Sequence, residues 1–153
     1  MSSGDSKRAI FITGATSGIG RALAEEYAKA GNCKLALVGR RLNLLEEIKK
    51  SLTEKHSTVE VEISQLDVSD VVAVRRVFGE MVKKLGRIDV AYANAGMTPK
   101  GRVGTGEDNF KTHHECIETN LVGSMVVIDV ALEHFKLHKA GQIVGESWKS
   151  QVT

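Results

Sequence analysis

What the chain has little of narrows its possible roles first. It carries two cysteines, Cys33 and Cys116, far apart and without Cys-x-x-Cys spacing. That excludes a disulfide framework and a zinc ribbon, and both thiols are expected to be buried in a reducing compartment. Proline occurs once, at Pro99. No block of like charge exists: 21 basic and 19 acidic residues, net +2, are interleaved. The basic stripe of a nucleic-acid-binding surface is therefore missing, and no nucleic-acid partner is expected. Residues 1–8 are polar and the apolar run at 9–12 is far too short for a signal segment or a membrane span, so no membrane partner is expected and the cytoplasm is the expected compartment. His113, His114, Cys116, His134 and His138 lack a His-Glu-x-x-His grouping. The histidines read as solvated helix residues, and no metal is expected. There is neither a repeat nor a low-complexity stretch.

What is present is an alternation of short apolar runs with helical periodicities. Ala9-Ile10-Phe11-Ile12 leads into Thr13-Gly14-Ala15-Thr16-Ser17-Gly18-Ile19-Gly20, after which Ile19, Leu23, Tyr27 and Ala30 recur at helical spacing. The order is strand, glycine turn, helix. Gly31 and Asn32 suit a left-handed cap, and Leu35-Ala36-Leu37-Val38 reads as a buried second strand. Leu45, Ile48 and Leu52 mark a second helix, and Val59, Val61 and Ile63 alternate with polar residues as a strand at a sheet edge would. Asp67-Val68-Ser69-Asp70 offers an N-cap for a third helix carried by Val74, Phe78, Met81 and Leu85 and ended by Gly86. A fourth strand is expected over 88–93, followed by a mobile loop where Gly96, Gly101, Gly104 and Gly106 surround Pro99. One long helix is expected over 108–137, through Ile117, Leu121, Val122, Met125, Ile128 and Leu132, and a fifth strand begins at Ile143-Val144. Such an alternation implies βαβ units, hence an α/β chain with one doubly wound, Rossmann-like parallel sheet of about five strands over 1–153. Ligands of such sheets bind at the carboxyl ends of the strands, so the loops after strands one to four should carry the site.

A glycine-rich turn between a strand and a helix lets backbone amides approach a pyrophosphate, with the positive end of the helix dipole aimed at it. Gly14, Gly18 and Gly20 meet that requirement. Thr13-Gly14-x-x-x-Gly18-Ile19-Gly20, Asp67-Val68, Asn94-Ala95-Gly96 and Thr119-Asn120-Leu121-x-Gly123 follow in order. Over residues 7–144 these motifs resemble the short-chain dehydrogenase/reductase family. The resemblance implies a nicotinamide dinucleotide held by Gly14, Thr16, Ser17, Gly18, Ile19, Gly20, Asp67, Val68, Asn94, Ala95 and Gly96, and hydride transfer to or from an alcohol or carbonyl. It also implies a role for Asn120 in bending the long helix and holding a water in a proton relay. At the end of strand two an acid would bind the ribose 2′-hydroxyl of NAD, yet no carboxylate lies between Glu26 and Glu46 and the strand ends in Gly39-Arg40-Arg41. Arg40 and Arg41 suit a 2′-phosphate, so NADP(H) is expected over NAD(H).

The family's Tyr-x-x-x-Lys pair is not found: Tyr27 is followed four residues on by Gly31, and Tyr92 by Gly96. The slot for the family's catalytic serine falls on Trp148, so Ser147, one position out of register, is the nearest candidate beside Asn120. Glu146 puts an acid where an apolar residue belongs, and 145–153 reads as a divergent tail. The expectation is a cofactor-binding chain, incomplete relative to the family fold and inactive alone, whose alcohol or carbonyl substrate belongs to a full-length form. The alternatives are a non-catalytic cofactor-binding or dimerisation partner and a fragment without function. The apolar surplus on 108–137, with Val122, Met125, Val126, Val127, Ile128 and Val130, and an unpaired sheet edge imply homo-oligomers or aggregation.

Overall fold

The computed structural model describes residues 7–98 and 107–145. Residues 99–106 of the loop expected between Gly96 and Gly106, Ser147 and the tail from 146 lie outside the described residues. Five strands, β1 (Arg8–Thr13), β2 (Cys33–Gly39), β3 (Glu60–Gln65), β4 (Val90–Ala93) and β5 (Gln142–Gly145), form one sheet in the order β3-β2-β1-β4-β5. Every pairing is parallel. The strand order reverses between β1 and β4, which makes their carboxyl ends the switch point of the sheet.

Side chains alternate across a strand, and β1 uses the alternation fully. Ile10 and Ile12 pack with α1 (Gly18–Ala30) and α2 (Leu42–Lys55) on one face. Ala9 and Phe11 pack with α3 (Val71–Leu85) and α5 (Ser124–His138) on the other. Cover on both faces explains why β1 and β2 are apolar almost throughout. The β3 strand lies at the edge, where its alternation of polar and apolar residues leaves one side wetter. As expected, α1 ends in Gly31 and Asn32 at φ 75° and 50°, and α3 ends at Gly86 with φ 85°. The cap of α3 is Asp70, which accepts from the Ala73 amide at 2.9 Å; Asp67 instead folds its own turn, accepting from the Ser69 amide and hydroxyl.

The expected long helix is interrupted. It consists of α4 (Glu107–Ile117), a π-helical turn (Glu118–Gly123) and α5. One residue too many in the turn widens the winding without changing the composition, so periodicity alone does not reveal it. Its apolar residues divide between two faces, and Val127 and Val130, expected in the outward surplus, are buried in the core. Ile117, Leu121, Met125 and Leu132 point to solvent, while Thr119, Gly123, Val127, Val130, Ala131, His134 and Phe135 face inward.

The histidines need a second correction. His138 is exposed, but His134 is buried, its Nε2 accepts the Ile88 amide at 3.2 Å, and its ring meets Phe78 edge-on. Cys33 is buried as expected, whereas Cys116 is half-buried. Among the described residues no helix is long and apolar enough to cross a membrane.

Burial pushes the His134 pKa below its ordinary value of 6.5, and the neighbouring His138 adds to the shift. The unfolded chain therefore binds a proton that the folded chain refuses, so this stability is present above pH 6.5 and is lost as pH falls through the folded value. Thermal melts on either side of that pH should show a fall on acidification that is smaller in His134→Gln. In His134→Phe the Ile88 amide loses its acceptor, at a cost of about 1–3 kcal/mol in chemical denaturation.

Candidate functional site

The end of β1 is bound to the end of β4 through one side chain. The Thr13 hydroxyl donates to the Tyr92 carbonyl at 3.0 Å and accepts from the amides of Asn94 and Ala95, each at 3.0 Å. In return the Asn94 side-chain amide donates to the Thr13 carbonyl at 2.8 Å. The chain must then turn sharply, and three glycines divide the work. Gly14 has φ 67°, and a Cβ there would lie 2.9 Å from the Ala95 Cα. Gly18 has φ 54° with open space where its Cβ would be. Gly20 lets α1 close on the turn, since its Cβ would lie 2.5 Å from both the Gly14 carbonyl oxygen and the Asn94 Nδ2.

In front of this turn lies a cavity of about 780 Å³, within the ordinary range for small-molecule and cofactor sites. After β1 its wall is formed by Gly14, Thr16, Ser17, Gly18 and Ile19, and after β2 by Gly39, Arg40 and Arg41. Leu66, Asp67 and Val68 follow β3; Asn94, Ala95 and Gly96 follow β4; Thr119 enters from the π-helical turn. The four strand ends thus converge where the sheet topology places a ligand. Of the residues expected from sequence to meet a cofactor, Gly20 alone is not in the wall; it supports the turn from behind. Gly39, Leu66 and Thr119 were not singled out, because nothing in their residue types distinguishes them from packing residues.

The wall is polar where an anion would sit. No side chain caps α1, whose first-turn amides a helix cannot satisfy itself, and its first turn holds no acid. The Arg41 guanidinium crosses the turn and donates to the hydroxyls of Thr16 at 2.8 Å and Ser17 at 3.0 Å. The Arg40 carbonyl is held by the Gln65 side-chain amide at 2.9 Å. Among the described residues neither arginine has a carboxylate within salt-bridge distance.

Asn120 lies in the π-helical turn and spends both ends of its amide on one residue. Its Oδ1 accepts from the Met97 amide and its Nδ2 donates to the Met97 carbonyl, each at 2.8 Å. The Cys116 thiol joins the same knot, donating to the Met97 carbonyl at 3.3 Å. Asn120 thereby fixes the segment that leaves β4. Ser147, the other catalytic candidate, lies outside the described residues.

The sequence model of the short chain dehydrogenase family matches residues 8–147. The chain belongs to that family. It is 36% identical over 144 residues to an uncharacterised oxidoreductase of Mycobacterium tuberculosis, covering 94% of this chain and 56% of the relative. It is 37% identical over 140 residues to an NADP-dependent 3-hydroxy acid dehydrogenase of Schizosaccharomyces pombe, covering 90% and 52%. Among solved structures, an alcohol dehydrogenase from the archaeon Thermococcus sibiricus, complexed with 5-hydroxy-NADP, superimposes with a TM-score of 0.81 at 33% identity, over 90% of this chain and 57% of that one. The chain spans about half the length of the relatives it matches. The parallel sheet, the glycine turn and the cavity fit the nicotinamide cofactors of the family: the open side of Gly18 and the uncapped amides of α1 leave room and donors for a pyrophosphate.

Gly20→Ala should test the packing of the turn. With backbone on one side and Asn94 on the other, the added methyl is expected to cost about 1–3 kcal/mol in chemical denaturation, and to weaken dinucleotide binding by displacing Gly14.

Proposed function

We propose that residues 7–144 form a single NAD(P)-binding unit that takes NADP(H) in preference to NAD(H), in an oxidoreductase whose reaction is hydride transfer between the cofactor and an alcohol or carbonyl. The observation that carries the reading is the pair Arg40 and Arg41 in the cavity wall at the end of β2, with no carboxylate paired to them among the described residues. Two uncompensated guanidinium groups favour a dianionic 2′-phosphate, and an acid that would hold a 2′-hydroxyl is missing there. The fission-yeast relative and the archaeal structure are named with NADP-type cofactors and a xylitol dehydrogenase structure with NAD+, so the choice rests on the two arginines.

When bound, the nicotinamide supplies or accepts the hydride. The chain's part is to orient it: Gly14, Thr16, Ser17, Gly18 and Ile19 at the phosphates, Asp67 and Val68 beside the adenine, and Asn94, Ala95 and Gly96 along the far half. Asn120 holds the Met97 segment as the floor of that half. Proton transfer needs a further group. The hydroxyls of Tyr27 and Tyr92 bond each other at 2.8 Å and neither lines the cavity, and no Tyr-x-x-x-Lys occurs in the 153 residues. Turnover by this chain alone is therefore not expected.

Self-association belongs to the same reading. The outward apolar residues Phe110, Ile117, Leu121, Met125 and Leu132 are spaced symmetrically about Leu121. Two copies crossing antiparallel at Leu121 would set Phe110 against Leu132 and Ile117 against Met125, which is the self-complementarity a two-fold interface requires.

Titration of the purified chain should show tighter binding of NADPH than of NADH, and Arg40→Ala should narrow the gap by about tenfold. NADPH should not be oxidised with a panel of ketones and aldehydes. Equal affinities would overturn the cofactor reading, and turnover would overturn the expected inactivity. In analytical ultracentrifugation the chain should associate, and Leu121→Glu, which places like charges together on the two-fold axis, should shift it to monomer.

A further inference from the structure

Preference for a 2′-phosphate requires a guanidinium held in place as well as one nearby. A free arginine side chain loses rotamer entropy when it is fixed, so a residue that fixes it beforehand raises affinity beyond any contact of its own with the ligand. Arg41 is exposed, yet it is anchored: one of its nitrogens, Nη2, donates to both Thr16 and Ser17. The two anchors differ. Ser17 is exposed and its bond competes with water, whereas Thr16 is 8% exposed. Thr16 is in turn located by β2, because a Cβ on Gly39 would lie 3.1 Å from the Thr16 methyl. A β-branched side chain has few rotamers, so seating the methyl against Gly39 aims the hydroxyl at Arg41.

We propose that Thr16 is a specificity-determining positioning residue that sets the choice between the two cofactors from both sides. Its hydroxyl holds Arg41 over the cavity, leaving the Nε and Nη1 hydrogens for an anionic oxygen. Its methyl lies 3.1 Å from where a Cβ at position 39, the last of β2, would stand, so a side chain there would crowd it. In doubly wound sheets the end of the second strand is where an acid binds the ribose 2′-hydroxyl. Here that place is filled by the group that steadies the cation.

This inference rests on the NADP(H) reading, and the experiment separates the two. Dissociation constants of NADPH and NADH, and of the half-ligands 2′,5′-ADP and 5′-AMP, are measured by calorimetry for the wild type, Thr16→Val, Thr16→Ser and Gly39→Ala. Thr16→Val keeps the shape and removes the hydroxyl; it should weaken NADPH and 2′,5′-ADP about tenfold more than it weakens NADH and 5′-AMP. Thr16→Ser, which keeps the hydroxyl but lacks the methyl that aims it, should restore part of the loss. Gly39→Ala presses on the same methyl from the strand side and should erode the preference in the same direction, so the test does not depend on one variant. A wild type without preference overturns both the reading and the inference. A wild-type preference that survives intact in Thr16→Val and Gly39→Ala overturns the inference alone. Equal weakening of phosphorylated and unphosphorylated ligands also overturns it, because that marks a general loss of the turn.

Discussion

The Thr13 hydroxyl, placed between the last residues of β1 and the first residues beyond β4, is the constraint on which the cavity depends. Parallel strands at a switch point diverge into separate loops, and nothing in the sheet ladder holds those loops together. Here one donor and two acceptor contacts on a single oxygen do so, and the Asn94 amide closes the ring from the other side. With that junction fixed, Gly14 can press against Ala95 and Gly20 against Gly14, and α1 starts at a defined height above the sheet. A side-chain network of this kind rigidifies only because each partner is satisfied within it.

A second junction lies on the opposite wall. Asn120 and Cys116 grip the backbone of Met97, and Gly123 packs so closely on Val68 that a Cβ would fall 2.7 Å from its methyl. The loops after β3 and β4 are thus joined to the helical wall by one amide and one missing side chain. On the outer surface Arg75 of α3 pairs with Asp129 and Glu133 of α5, but exposed pairs contribute little. The buried contacts of Val77 and Phe78 with Val127 and Phe135 hold those helices.

Much of this architecture was legible in the residues themselves. Fully buried strands have no polar face to disguise them, so residues 9–12 and 35–38 stood out, and left-handed caps announced themselves through Gly31, Asn32 and Gly86. The cavity wall was legible because phosphate recognition demands glycine at set positions and the strand ends converge by topology. Other features had no sequence signature. The apolar stripe through Leu121 marks a helix face but not which side of it meets the core, and the inner face carries Thr119, Gly123, Ala131 and His134, residue types that periodicity discounts. His134 reads as a surface residue until Ile88 supplies the donor that makes its burial tolerable. The grip of Thr16 on Arg41 joins residues 25 positions apart and depends on a void at Gly39.

The π-helical turn at Glu118–Gly123 is the place where the helix carries a surplus residue without turning its later side chains. In a continuous helix each residue advances the direction of every later side chain by about 100°. Deleting one residue between Thr119 and Gly123 would tighten the turn into ordinary winding with Val127, Val130 and Phe135 still facing the sheet, whereas a deletion early in α5 would swing the residues after it away. A length change of one residue is thus absorbed at the turn and costly within the regular winding of α5.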